Sequence, residues 1–253
     1  MKAAEAPVAA ATVPLLMQAI NDPNTSVAMV AEAVASDAGL AARVLALANS
    51  AAFGMSRQVT EINQAVALVG SNMVQTLAIA GACDLLDGAS GLPHARTHAI
   101  QVACGARVLA GRVGLSRADA FADGLLHDRG EMLLWPRNPA AYAGAPASWT
   151  DAREQLRGER GMFGTDHALA AREQLARWQL PGVIVDAAGD HHRPDLHHRD
   201  LSTAVIAGEE LVDPDVSWSP RFTLFGLEPE GLEALRSDVD EQVVEMTGLL
   251  VRP

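Results

Sequence analysis

Apolar residues recur three and four positions apart along most of this chain, and that spacing constrains its fold more than any other feature. Near the C-terminus Leu232, Leu235, Val239, Val243, Met246 and Leu249 follow it. So do Leu40, Val44 and Leu47, then Val102, Ala106, Leu109 and Val113, then Ala171, Leu175 and Trp178. Steps of three and four keep side chains on one face of a helix, whereas a half-buried strand needs alternation. No alternating run longer than a few residues is present, nor any repeat of about 20–50 residues. Aromatic residues are only 4% of the chain, which favours closely packed helices over a β-rich core. The expected class is all-α.

Local punctuation divides the helices. Ser36 or Asp37 is placed to cap the helix of Leu40, Thr60 the next one, and Ser116 the helix of Phe121 and Leu125. Gly70-Ser71 breaks the stripe between Val66, Val69 and Met73, Leu77, Ala80. Gly114 and Leu180-Pro181 mark helix ends. Softer boundaries fall at 87–93 (DGASGLP) and 213–226 (DPDVSWSPRFTLFG). The expected division is a helical subdomain over 8–90, a second over 91–212 that packs on it, and a C-terminal loop and capping helix over 213–253.

The formal charge of −12, from 19 basic and 31 acidic residues, opposes nucleic-acid phosphates and anionic membranes. Lys2 is the only lysine and no basic run occurs. Cys83 and Cys104 show neither metal spacing nor a disulfide framework and read as small buried residues of a reducing compartment. The apolar stretch 65–83 contains Gly70, Ser71, Asn72 and Gln75, so it reads as a buried helix pair rather than a membrane span. The N-terminus lacks a signal-peptide pattern. These readings predict a cytoplasmic protein with no nucleic-acid or membrane partner.

Eight histidines lie at positions 94, 98, 127, 167, 191, 192, 197 and 198, between the two soft boundaries. His98 shares a face with Val102 and Leu109, and His167 with Ala171 and Leu175. His191 lies on the face of Ile184 and Ala187, and His192 on that of Val185 and Ala188. In GLLHDRGEMLL (124–134), a single helix would place Asp128 on the face of Phe121, Leu125 and Met132. A carboxylate turned inward needs a partner or a metal. If the stripes pack together, these groups converge into a nitrogen–oxygen site suited to Fe, Mn or Zn. The plainer alternative is that each is a separately satisfied core or surface residue. Arg129 is placed to pair with Asp128 or Glu131 and turn the site into a salt-bridge network. No Walker loop, GxSxG elbow, HExxH or CxxC is present.

The order His98, His127-Asp128, His167, His191-His192 resembles the HD phosphohydrolase superfamily. More closely, the chain resembles HDOD domains, the HD-related output domains of bacterial signalling proteins. The resemblance rests on SDAGLAARVLALANSAAFG (36–54) with INQAVALVGSNMVQTLAIA (62–80), on AFADGLLHDRGEMLL (120–134), and on FGTDHALAAREQLARWQLPGVIVDAAGDHHRP (163–194). It covers most of about 15–212. It implies that His98, His127, Asp128, His167, His191 and His192 match metal-ligand positions of catalytic relatives.

Four departures accompany the resemblance. Gly208, beside Glu209, stands where the superfamily's last Asp ligand is expected. Glu131 replaces the catalytic lysine of the HD-GYP branch. HHR replaces HHE at Arg193, and RPDLHHRD replaces the GYP segment. The expectation is therefore a non-catalytic signalling output module with no catalytic residue and no required cofactor. Any metal would be Fe, Mn or Zn at the degenerate site, with Arg129, Glu131 and Glu209 as possible supports. The expected partner is a signalling protein supplied in trans. The alternative is a metal-dependent phosphohydrolase acting on a nucleotide or cyclic dinucleotide. The acidic C-terminal helix reads first as a solvated face, and a partner-docking helix is its alternative.

Overall fold

The structure, a computed structural model, describes residues 8–9, 11–49, 57–82, 93–144, 152–178, 180, 182–193 and 198–250. The described residues form helices and connecting turns with no strand among them, which is the all-α class. The 87–93 connector up to residue 92, Cys83, Pro181 and residues 194–197 of the second histidine tract lie outside the described residues, as does the side chain of His94. The chain divides into two compact units, residues 1–89 with 245–253, and residues 90–244.

The first unit contains α1 (Thr12–Asn21), α2 (Val27–Ala35), α3 (Ala38–Ala48), α4 (Ile62–Val69) and α5 (Ser71–Ala82). Val13, Leu16, Met17, Val34, Leu40, Val44 and Leu77 are among its buried side chains. Asp37 rather than Ser36 caps α3, accepting from the Leu40 N–H at 2.9 Å. The same carboxylate accepts from Thr12 Oγ1 at 2.6 Å and the Ala9 N–H at 2.8 Å, tying the start of α1 to the start of α3. Asn49 ends α3 and clamps a returning segment: it accepts from the Val59 N–H at 2.7 Å and donates to Val59 O at 2.8 Å. The stripe break expected at Gly70-Ser71 is present, with Gly70 at φ +85° where side-chain-bearing residues are strained. Thr60 is not a cap; α4 begins one residue later, after Glu61.

The second unit contains α6 (Pro93–Arg112), α7 (Arg117–Leu126), α8 (Arg129–Leu134), α9 (Pro139–Gly144), α10 (Ala152–Phe163), α11 (His167–Arg177), α12 (Gly182–Asp190), α13 (Leu201–Val212), α14 (Pro220–Leu224) and the start of α15 (Leu232–Leu250). α6 is the central helix, packed by α7 and α13. Glycines set those contacts. A Cβ on Gly124 would lie 2.7 Å from Ala103 Cα, and one on Gly208 would lie 2.7 Å from Ala106 N. The helices therefore meet backbone to backbone, which brings the face of α6 that carries His98 close to its neighbours. Ser116 caps α7 as expected, accepting from the Asp119 N–H at 3.2 Å.

Residues 213–244 belong to this second unit rather than forming one of their own. Arg236 of α15 holds them there, donating to Leu211 O and Asp213 O at 3.0 Å and to Val216 O at 2.5 Å. No helix among the described residues is long and apolar enough to cross a membrane.

Candidate metal centre

The stretch 124–134 is not a single helix. α7 ends at Leu126, His127 and Asp128 form the turn, and α8 starts at Arg129. The even apolar spacing is interrupted here without a proline, and Asp128 takes φ −91° and ψ 17°. Asp128 thus leaves the stripe of Phe121 and Leu125 and faces a set of imidazoles. His127 Nε2 lies 3.0 Å from its Oδ2, and His98 Nε2 3.7 Å from the same oxygen. His191 Nε2 lies 3.3 Å from its Oδ1, and His167 Nε2 3.7 Å. His192 joins through Nε2, 2.9 Å from Nε2 of His167. All six matched positions are brought together by α6, the α7–α8 turn, the first residue of α11 and the end of α12.

The opposite ring nitrogens are fixed from behind. His127 Nδ1 lies 2.7 Å from Gly124 O, and His191 Nδ1 2.8 Å from Ala188 O, each the carbonyl three residues earlier. His167 Nδ1 lies 2.7 Å from Glu159 Oε2. Carbonyls and carboxylates only accept, so each of these Nδ1 atoms carries the proton. In the neutral rings the three Nε2 lone pairs then point at one another and at Asp128. Nε2 of His127 is buried and faces the Asp128 carboxylate.

Titration follows from this crowding. Burial alone would lower His127, but the Asp128 carboxylate outweighs it and lifts the ring to about 9. His167 also rises to about 9, burial being overcome by its bond to Glu159 and then by Asp128. Burial lowers His191, and burial with the neighbouring His191 and His167 drives His192 down to about 2. His98 is lowered, again chiefly by burial. Asp128 stays well below the ordinary carboxylate range because His127 and His191 outweigh its desolvation.

The supporting residues divide. Arg129 makes no ion pair with Asp128 or Glu131 among the described residues, and its Nε is buried without a partner, so the expected salt-bridge network does not form. Glu131 instead accepts from Gln155 Nε2 at 2.7 Å. Its carboxyl is raised to about 7 by burial and by Asp128. Glu209 borders a cavity of about 370 Å³ together with Arg153, His191, His192, Arg193 and Arg221. Burial raises its carboxyl, His127 and Asp128 act on it, and it belongs to none of the groups spaced to hold a cation among the described residues. Three overlapping groups have the spacing to hold a cation: Asp128 with His167, His191 and His192; His98 with His127 and Asp128; and Glu131 with Glu159 and His167.

Glu159 was not singled out by its sequence context. It lies on the buried side of α10, three residues after Leu156 and four before Phe163, the spacing that would have found it. His198 is exposed and takes no part. Trp135 and Trp178 are half-buried.

Comparison with known proteins places this geometry. A sequence profile of the HDOD domain matches residues 6–194. A candidate phosphohydrolase from Shewanella amazonensis is 26% identical, with a TM-score of 0.73 over 99% of this chain and 97% of that one. An HDOD domain protein of unknown function from Geobacter sulfurreducens has the same TM-score at 22% identity, over 98% of this chain and 94% of that one. An uncharacterized protein of Treponema pallidum is 26% identical over 210 residues, 76% of this chain but only 39% of that relative's length.

Proposed function

The chain belongs to the HDOD family, and from that premise we propose that it is a metal-binding signalling module whose centre does not turn over phosphate esters. One observation carries the metal: five imidazole Nε2 atoms gather around one carboxylate, and three of their rings hold a proton on Nδ1 from behind, so that each neutral ring offers its Nε2 lone pair to the centre. Lone pairs crowded to 2.9 and 3.3 Å repel unless a proton or a cation lies among them. The donor set fits a divalent cation, and imidazole with carboxylate suits Fe, Mn or Zn. His167, His191, His192 and Asp128 would hold one ion, and His98 and His127 would share Asp128 toward a second position. Such an ion supplies Lewis acidity when bound. The chain's own part is to orient the rings through Gly124, Ala188 and Glu159.

Two residues support a signalling role over catalysis. Glu131 puts a carboxyl where catalytic HD-GYP relatives carry lysine, which opposes charge developing on a phosphate. Gly208 has no room for the expected aspartate, since its Cβ would meet the backbone of α6. The output in this proposal is contact with a partner signalling protein.

A phosphohydrolase reading has one observation in its favour. Arg153, Arg193 and Arg221 line the cavity beside His191 and His192, and guanidinium groups suit phosphate. Incubation with nucleotide and cyclic dinucleotide substrates in added Mn²⁺ or Fe²⁺ separates the two. The proposal expects no more product than from His127→Ala. Metal-dependent turnover abolished by that substitution would establish the phosphohydrolase instead.

A further inference from the structure

We infer that Glu159 is a positioning residue of this centre: it commits His167 to bind a cation through Nε2, and Tyr142 holds Glu159 in place. The inference rests on the metal reading above. α10 is a charged helix, AREQLRGERGMF, and Glu159 is its buried residue, with no exposed surface. A carboxylate withdrawn that far from water is costly unless both oxygens are hydrogen-bonded. Here they are. Oε2 accepts from the backbone N–H of His167 and from its Nδ1–H, each at 2.7 Å. Oε1 accepts from the Tyr142 hydroxyl at 2.8 Å and from Gln155 Nε2 at 3.2 Å.

A backbone N–H and an amide NH₂ can only donate, and the phenol donates to an ionised acid. The carboxylate is therefore an acceptor on every side, and the His167 proton is fixed on Nδ1. Nε2 is then the nitrogen offered to the centre, 3.7 Å from Asp128 Oδ1 and 3.3 Å from His191 Nε2. His127 and His191 are oriented by backbone carbonyls; His167 is oriented by a full negative charge. A carboxylate behind a ligating imidazole fixes its tautomer and raises its basicity. Two bonds to the same residue, one through the backbone, also anchor the first turn of α11 against α10.

The test uses the full-length protein and Zn²⁺ as probe. Glu159→Gln preserves shape and removes the charge; its Zn²⁺ dissociation constant, measured by calorimetry, is expected to rise about 10–100-fold, and Tyr142→Phe to raise it less. A second readout is the ¹⁵N spectrum of histidine-labelled protein in alkaline, metal-free solution, with His167 assigned by its loss in His167→Gln. The wild type is expected to show the Nδ1–H tautomer at His167, and Glu159→Gln a measurable share of Nε2–H. Unchanged Zn²⁺ affinity in a folded Glu159→Gln protein overturns the inference, as does an Nε2–H tautomer in the wild type. A wild type that binds no Zn²⁺ overturns the metal reading, while the tautomer still decides the role of Glu159.

Discussion

Asp37 in the first unit and Asp128 in the second are acidic side chains drawn away from solvent, and their partners differ in kind. Asp37 accepts from the N–H groups of Leu40 and Ala9 and from the Thr12 hydroxyl. Burial pushes its carboxyl up, but those bonds outweigh burial and hold it below the ordinary range. Among the described residues the Asp128 carboxylate meets imidazole Nε2 atoms, at 3.0 to 3.7 Å. The first set is closed by donors that have no other state, so it is architecture. The second is closed by groups that can lose their protons, and it stays complete only if a proton or a cation occupies it. The first unit contains no histidine.

Substitutions can break that distinction. The largest effect is expected from Gly130→Ala, because a Cβ there would lie 1.7 Å from His167 O. The backbone of α8 or α11 must move, at a cost of about 3 kcal/mol, and metal binding should fall with stability because His167 moves too. Asp37→Ala should cost about 2–3 kcal/mol through the lost cap and the two further bonds, yet leave metal content unchanged. Thermal denaturation beside elemental analysis checks both. If Asp37→Ala also emptied the centre, the two kinds of buried acid would not be independent.

The pH dependence of the metal-free protein sharpens the comparison. Folded His127 and His167 keep their protons up to about 9, whereas the unfolded chain releases them near the ordinary 6.5. Their contribution is full below about 6.5 and is lost as pH rises to about 9. His191 and His192 are shifted the other way, so below 6.5 the unfolded chain takes up protons that the fold excludes, and stability falls with pH there. From this cluster the thermal midpoint should be highest near pH 6.5. A metal should flatten the alkaline arm, since it takes the place of those protons. A profile flat from 6.5 to 9 without metal would contradict the proposed charge pattern.

The smallest effect concerns Asp123, fully buried with neither carboxylate oxygen bonded among the described residues. Burial, then Asp119, raises its carboxyl well above the ordinary 3.8, so its cost grows as pH rises past that value. Asp123→Asn should raise the midpoint by about 2–4 °C at neutral pH and by less in acid.

Local chemistry was readable in the sequence where neighbours along the chain decide it. The helical stripes, the caps at Asp37 and Ser116 and the break at Gly70 depend on residues a few positions apart. The turn at His127-Asp128 was not readable, because the stripe Phe121, Leu125, Asp128, Met132 fits an unbroken helix and no proline or glycine stands at the junction. The clustering of six histidine and aspartate positions was legible as an order of motifs, but their distances come from glycine contacts at 124, 130 and 208. Glu159 stands at helical spacing from Leu156 and Phe163, but a carboxylate in a charged segment reads as solvated until the Tyr142 hydroxyl and the His167 ring are brought against it by the fold. Arg129 misled because its charge suggested a partner that the turn geometry does not supply.

The central claim is that the histidines around Asp128 form a metal centre. Its most direct test is elemental analysis of protein purified without chelator, wild type beside His127→Ala, with circular dichroism showing that both are folded. The account predicts near-stoichiometric Fe, Mn or Zn in the wild type and its loss from the variant. No metal above background in the wild type, together with no thermal stabilisation on adding any of the three ions, would contradict it.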